Sequence, residues 1–509
     1  MSYTIALLVS YLAGVISLSY EILWYRVYSF ASGSSPTTFG FLLGFYLLGL
    51  AFGSYASIRL CDGRDGTGNP RQLRALGAFL FLANAAGFLV IPLAGWLVTV
   101  IWWRWALPPV AVAAALLGST LPLLSQFGLA PDDRVGAGLS GLYFANILGS
   151  VFGSLLTGFV LLEIWPLRRI AVALALLGIS LALALALLAR LRRLAVVVAC
   201  LAAGGAALGV VTASPGLFND LYARLLYKDN FRNAKPLAEI VENRHDVVVV
   251  AADRRVYGGG VYDGAISTSL WPDPNGIVRA YALAALHPSP SNVLIVCLST
   301  GAWAQVIARF PGVRSMTAVE INPGYLQIIA RHPEVNGLLS DPRIRIVIDD
   351  GRRWLRRNPE ARFDLIVENA SMHWRAHATH LLSIEHFRLV RDHMTEGGLF
   401  FVNTTGSPEV IHTLLEAFPY ALRLRGFVAA SSRPIRFDKD RWKSLLAQAS
   451  TQNPPLLDTT DPAGRKALAD LYRIEAEMEG RESMAARTAT ARIVTDDNMA
   501  SEWRDTTSR

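Results

Sequence analysis

The sequence predicts an α-helical transmembrane bundle of about seven spans, fused to a doubly wound α/β domain with a small β-sheet at its start. Three observations carry this reading. Hydrophobic residues make up 52% of the 509 residues, and the mean hydropathy is +0.34, more apolar than a soluble chain requires. The apolar residues are not spread evenly: residues 1–214 contain no lysine and few acids, whereas the recurring charge lies after Pro215. Further on, short apolar runs alternate with helical patterns, and each run ends on a polar residue. That alternation is the signature of a mostly parallel sheet.

The stretches long enough to span hydrocarbon are 4–25, 37–59, 74–101, 106–127, 137–163, 169–189 and 194–213. Pro92, Pro108 and Pro109 blur the helix limits between 74 and 127. The first stretch lacks a basic leader and is followed by further apolar segments, so it is not read as a cleavable signal. Gly40, Gly44, Gly49 and Gly53, and then Gly149, Gly153 and Gly158, recur at spacings that let helix backbones approach closely. Glu21, Asn84, Asn146 and Glu163 are the polar residues at membrane depth. They do not form a chain of acids and histidines, which disfavours a proton-coupled transporter. Arg59, Arg64, Arg71, Arg74, Arg134, Arg190, Arg192 and Arg193 fall in loops on the N-terminal side. Arg26, Arg104, Arg168 and Arg169 fall in the opposite loops. The positive-inside rule therefore puts the N-terminus in the cytoplasm and predicts a multi-pass protein of the cell (inner) membrane. An odd number of spans then places residues after 214 outside; an even number keeps them inside.

The net charge of +8 reflects arginines in short loops, and no basic run with interleaved aromatics points to nucleic acid. Cys61, Cys200 and Cys297 are far apart, so neither a disulfide framework nor a paired-cysteine metal site is expected. Residues 217–228 read as an amphipathic helix on the membrane surface. The runs 245–251 and 255–266, with turn signals at Gly258–Gly260 and Asp263-Gly264, read as a small β-sheet. After a helix over 276–286, residues 293–322 form one βαβ unit: an apolar strand, the turn Ser299-Thr300-Gly301, a helix, and a second strand ending on Glu320. Backbone N–H groups in such a turn and a carboxylate at the next strand end suit a nucleoside, the acid accepting from ribose hydroxyls. The strand over 343–348 ends on Asp349-Asp350, that over 363–367 on Glu368-Asn369, and that over 398–403 on Asn403. Ligand crevices of open α/β sheets lie at these carboxyl ends. His373, His377 and His380 crowd the next loop and could supply a base near neutral pH. Without a nearby carboxylate or third ligand they are not read as a metal site. The expected domains are thus 1–214, transmembrane; 215–275, linker and small sheet; 276–430, the α/β domain; and 431–509, a charged appendage.

The order of these motifs resembles the spermidine/spermine synthase (polyamine aminopropyltransferase) family in its membrane-fused branch. YDG at 262–264 resembles the family's LDG turn, VLIVCLSTG its VLxIGGGDG loop, VEIN at 319–322 its VEID, and residues 341–355 its DPRvxvxxxDgrxfL. FDLIVEN at 363–369, the helix and GG turn of 381–398, and TDDNMASEW at 495–503 follow in the family's order, while SYEILWYR and residues 146–158 resemble the membrane branch. The resemblance implies a Rossmann-like, methyltransferase-type fold. It implies a donor that is decarboxylated S-adenosylmethionine or S-adenosylmethionine, held by Ser299, Thr300, Gly301, Glu320, Asp349 and Asp350. It places Tyr262 and Asp263 against substrate, and Asn369, Glu368 and His373 at the reacting centre, with no metal. The expected partners are the lipid bilayer and a small-molecule amine, with a second copy of the chain as a possible homodimer mate. The departures are chemical. Thr300 stands where the family's turn carries an acid, and Asn369 stands where it carries the aspartate that deprotonates the amine; an amide is no general base. A methyltransferase acting on a membrane-associated substrate, or a lapsed ligand-binding or transport-associated protein, is the alternative.

Overall fold

The computed structural model describes residues 2–61, 70–129, 135–188, 193–369, 372–451, 455–498 and 502–503. The expected loop residues Arg64, Arg134, Arg190 and Arg192 lie outside them. Two compact units are present: Met1–Pro236 with Glu242–Val247, and Leu237–Val241 with Val248–Arg509.

The first unit is helical. Among the described residues seven segments are long and apolar enough to cross a membrane: Tyr3–Ser32, Thr37–Arg59, Leu76–Leu97, Trp103–Gln126, Val135–Ile164, Leu167–Leu188 and Arg193–Leu217. Pro92 sits inside the helix Pro70–Leu97, and Pro108 opens the helix Pro108–Gly118, where a missing N–H is harmless. Small residues decide how closely the helices approach. A Cβ added at Gly149 or Gly153 would collide with the backbone of Tyr11 or Val15, and one at Gly49 or Gly53 with the backbone of Ala111 or Ala115. Gly40, Gly44 and Gly158 have open space beside them and serve no such contact. Asn146 donates its side-chain amide to the Ser10 carbonyl (3.0 Å), pinning the same helix pair. Within the stretch 217–228 expected to be an amphipathic helix, the two-turn helix Leu221–Tyr227 buries Leu221, Tyr222, Ala223 and Leu225. Tyr222 stacks edge-on against Phe30 and donates to Glu242 (2.9 Å).

The second unit opens with strands β1 (Leu237–Glu242), β2 (Val247–Ala251), β3 (Arg255–Gly258) and β4 (Val261–Ala265), in the sheet order β1-β2-β3-β4. An eight-stranded sheet follows. Its strands are β5 (Asn292–Val296), β6 (Ser315–Glu320), β7 (Ile344–Ile348), β8 (Phe363–Glu368), β9 (Met394–Asn403), β10 (Tyr420–Leu424), β11 (Phe427–Ser431) and β12 (Met478–Gly480), in the order β12-β10-β11-β9-β8-β5-β6-β7. Strands β5 to β9 are parallel; β10 and β11 return antiparallel. Each central strand buries both faces, as a sheet covered by helices requires. Along β5, Val293 and Ile295 enter one core with Leu365, Val367 and Phe401, while Leu294 and Val296 enter the other with Ile366, Phe400 and Val402. The pairing Val296↔Val319, Val296↔Glu368 and Glu320↔Ile348 aligns the carboxyl ends of β5, β6, β7 and β8. The chain winds outward from β5 on one side through β6 and β7, and on the other through β8 and β9, so the switch point lies between β5 and β8.

Residues 431–509, set apart in sequence as a charged appendage, supply β12 and bury Trp442, Leu446, Ile474, Met484 and Val494 in the two cores. The helices Lys439–Thr451, Pro462–Leu471 and Arg481–Thr488 turn their buried residues to the domain and most of their charge outward.

Candidate functional site

The turn after β5 is shaped by left-handed backbone. Cys297, Ser299 and Gly301 have φ of 68°, 51° and 75°, a region that disfavours ordinary side chains. At Gly301 a Cβ would also press on Leu338 and Ile329. This winding aims the Ser299 N–H at Glu320 Oε2 (3.0 Å), and the Asn322 N–H reaches Oε1 of the same carboxylate (2.9 Å). Turn and acid are thereby locked together. Glu320 is 4% exposed, and burial pushes its carboxyl up to about 7, against the opposing pull of those N–H bonds. The hydroxyls of the turn face the end of β4: Ser299 Oγ donates to the Asp263 carbonyl (2.6 Å) and Thr300 Oγ1 to the Ala265 carbonyl (3.3 Å). Thr300, at the place of an acid in the resembling enzymes, is thus spent on backbone.

Asp263 bonds the Tyr325 hydroxyl and lies 3.7 Å from the Arg375 guanidinium. Its neighbour Tyr262 turns away: the hydroxyl donates to the Pro274 carbonyl (2.5 Å) and the ring packs edge-on against Tyr257. Burial raises that phenol to about 12. Tyr262 therefore fastens the loop 273–276, in which Asp273 caps the helix Val278–Leu286 through the N–H groups of Ile277 and Val278.

On the other flank, the Asp349 N–H donates to the Glu320 carbonyl (3.1 Å), and the Asp349 carboxylate pairs with Arg353 and Arg357. Asp350 is the N-cap of the helix Gly351–Arg357, its Oδ1 accepting from the Arg353 N–H (2.7 Å). Ile321, directly after Glu320, is 55% exposed, and Ile348, directly before Asp349, is 42% exposed. Two exposed isoleucines beside two acids at adjoining strand ends offer a flat apolar surface with acceptors at its edge.

At the end of β8 the expected catalytic pair separates. Val367 enters one core, so the period of two sends Glu368 to the opposite face. There Glu368 is fully buried and bonds His386 on the helix Ile384–Asp392 (2.8 Å). Its side chain thus faces away from the edge on which Asn369 stands. Asn369 stays at the edge: its Oδ1 accepts from Asn403 Nδ2 (3.3 Å), and Asn403 Oδ1 accepts from the Thr405 N–H (3.0 Å). Thr405 Oγ1 in turn accepts from the His373 N–H (3.3 Å) and bonds its ring Nδ1. Asn369 and His373 thus belong to one polar chain running through Asn403 and Thr405. His377 and His380 stack on each other (ring centroids 6.0 Å apart). The backbone N–H groups of His377 and Thr379 donate to the buried Glu502. Arg352 makes two 2.6 Å bonds to Asp496, which Ser383 also reaches (2.7 Å). Those bonds hold the Asp496 carboxyl down to about 2. The TDDNMASEW segment thereby clamps the histidine loop; residues 499–501 lie outside the described residues.

The structure therefore gathers Ser299, Thr300, Gly301, Glu320, Asp263, Asp349, Asp350, Asn369 and His373 along the carboxyl ends of the sheet. Sequence reasoning missed Tyr325, Arg375 and Asn275, and it passed over Ile321 inside the VEIN motif; Tyr325 and Arg375 owe their place to pairings with Asp263 across long sequence separations. Among the described residues no group of three or more His, Cys, Asp or Glu is arranged to hold a metal ion.

Comparison with known proteins bears on this geometry. The spermine/spermidine synthase domain family matches residues 281–431. The chain is 27% identical to a polyamine aminopropyltransferase of Corynebacterium efficiens over 314 residues, 58% of each protein. It is also 27% identical to a polyamine aminopropyltransferase of Mycobacterium tuberculosis over 376 residues, 70% of this chain and 69% of that one. Among solved structures it is similar to a probable spermidine synthase from Corynebacterium glutamicum, at 15% identity and a TM-score of 0.35, covering 52% of this chain and 97% of that one.

Proposed function

Because its α/β domain belongs to the spermine/spermidine synthase family, we propose that the protein is a membrane-bound transferase that takes an S-adenosylmethionine-type nucleoside and moves its aminopropyl or a related three-carbon group to an amine. The observation that carries this reading is the lock between the Ser299 N–H and Glu320 at the carboxyl ends of β5 and β6. Glu320 accepts from ribose hydroxyls, Ile321 and Ile348 cover a face of the purine, and Asp350 accepts at its edge. The attacking amine nitrogen forms a bond to the sulfur-bound carbon of the three-carbon arm. The carbon–sulfur bond breaks, its electron pair neutralises the sulfonium, and methylthioadenosine leaves. The amine's proton passes to His373, the base that the polar chain from Asn369 positions, since the amide of Asn369 accepts none.

The apolar helices of the first unit support an inner-membrane, multi-pass location, with lipid as its surroundings and a second copy of the chain as a possible mate. The test is release of methylthioadenosine from decarboxylated S-adenosylmethionine that depends on added putrescine or another small amine. Release is expected; no release with any amine or either donor would sink the transferase reading. The amide at Asn369 favours one second reading, a methyltransferase, whose product would be S-adenosylhomocysteine instead.

A further inference from the structure

We propose that the donor of this site keeps an intact α-amino-acid head group, carboxylate included, and that Asp263 and Arg375 recognise it as a pair. This inference rests on the transferase site proposed above. The segment bearing Asp263 closes over the nucleoside turn. Ser299 Oγ and Thr300 Oγ1 bond the carbonyls of Asp263 and Ala265, and a Cβ added at Gly264 would lie 3.5 Å from Thr300 and 3.6 Å from Ser299. A donor arm that leaves the nucleoside and passes Thr300 therefore meets Asp263.

The charges waiting there decide what the arm carries. A decarboxylated arm ends in an ammonium alone, which calls for carboxylates. Here Thr300 is neutral, and Asp263 already faces the guanidinium of Arg375 at 3.7 Å. An ammonium approaching Asp263 is repelled by that arginine, whereas a zwitterion satisfies both groups: its ammonium takes Asp263 and its carboxylate takes Arg375. Asp263 also accepts from the Tyr325 hydroxyl, and its separation of 3.7 Å from Arg375 is longer than a charge-assisted hydrogen bond. A second donor stands by. Asn275 is buried, its Oδ1 accepts from the Ala265 N–H (3.1 Å), and its Nδ2 has no hydrogen-bond partner among the described residues. A buried amide N–H left unbonded is unfavourable, and a carboxylate oxygen at this segment would accept from it. The group transferred from such a donor is 3-amino-3-carboxypropyl: one N–C bond forms, the carbon–sulfur bond breaks with its electron pair going to sulfur, and methylthioadenosine leaves as before.

Full-length protein in detergent should be titrated calorimetrically with S-adenosylmethionine, decarboxylated S-adenosylmethionine and methylthioadenosine. The expected result is S-adenosylmethionine binding about tenfold or more tighter than its decarboxylated form, the scale of one charge-assisted contact. Arg375→Gln should bring that ratio to about one, and Arg375→Lys should restore part of it. Both variants should leave methylthioadenosine, which has no charged arm, bound as in the wild type; this also reports that the variants are folded. Equal or tighter binding of the decarboxylated donor, or an equal loss of all three ligands in Arg375→Gln, would overturn the inference while leaving the nucleoside site standing. Failure of all three ligands with the wild type, methylthioadenosine included, would overturn the proposed function and this inference with it.

Discussion

Glu320 is under two opposed demands. A ligand-binding carboxylate has to be ionised to accept from two hydroxyls, yet burial pushes this one up to about 7. Its unfolded value is the ordinary 4.5, so between about 4.5 and 7 the folded chain holds the extra proton and stability falls as pH rises. Two outcomes follow. Glu320→Gln should raise the melting temperature of the ligand-free protein at pH 8 and change it little at pH 4. Nucleoside affinity of the wild type, measured by calorimetry, should rise from pH 6 to pH 8 as the carboxylate forms; a flat profile would mean that Glu320 does not contact the ligand. His373 acts at a different step. His373→Ala should lower turnover about 100-fold, the low end of general-base effects, with nucleoside affinity unchanged. A parallel loss of affinity would make it a structural residue of the Thr405 loop.

At the scale of elements, two contacts are open to test. Gly149 and Gly153 bring the helix Val135–Leu155 against the backbone of Tyr3–Ser32. Gly149→Leu should destabilise the first unit by about 1–3 kcal/mol through overpacking, seen as a lower melting temperature in detergent, whereas Gly40→Leu, with open space beside it, should be neutral. Asp496, held down to about 2 by Arg352, contributes stability that is present above its ordinary 3.8 and lost as pH falls toward 2. Asp496→Asn should remove that acid-labile increment and loosen the histidine loop, read as faster amide exchange at residues 377–382. Which elements could be read from the sequence follows from the same physics. Strand β5 announces itself by an unbroken apolar run buried on both faces, and β6 and β8 do so with one interior polar residue each, Thr317 and Asp364. Strand β1 is harder to read, because two glutamates interrupt the apolar residues of LAEIVE, and LYARLLY has the period of an amphipathic helix whichever surface its apolar face meets. The same period of two that exposes Asn369 buries Glu368, and its partner His386 comes from a helix whose position the sequence does not specify. Arg375, in the loop after β8, could not be assigned either, since its meaning depends on Asp263 of strand β4.

For the whole molecule, the chain couples an α/β unit, for which a nucleoside site is proposed, to a unit whose last apolar helix, Arg193–Leu217, is almost wholly exposed. An exposed apolar helix of that length belongs in hydrocarbon. If all seven segments cross a membrane, the arginines on the N-terminal side predict by the positive-inside rule that the α/β unit lies on the outer face. A reporter active only outside the cytoplasm, fused after Arg509, should then be active; an inactive reporter, with its cytoplasmic counterpart active, would require an even number of spans. An outer location would also demand that the donor be delivered across the membrane or scavenged there.

The central claim, that the carboxyl edge of this sheet holds a nucleoside through Glu320, is met most directly by one titration. Methylthioadenosine, the part common to both donors, should bind the purified full-length protein with measurable heat at pH 8, and Glu320→Ala should weaken that binding at least tenfold without loss of fold. Binding that is absent in the wild type, or unchanged in Glu320→Ala, would contradict the account.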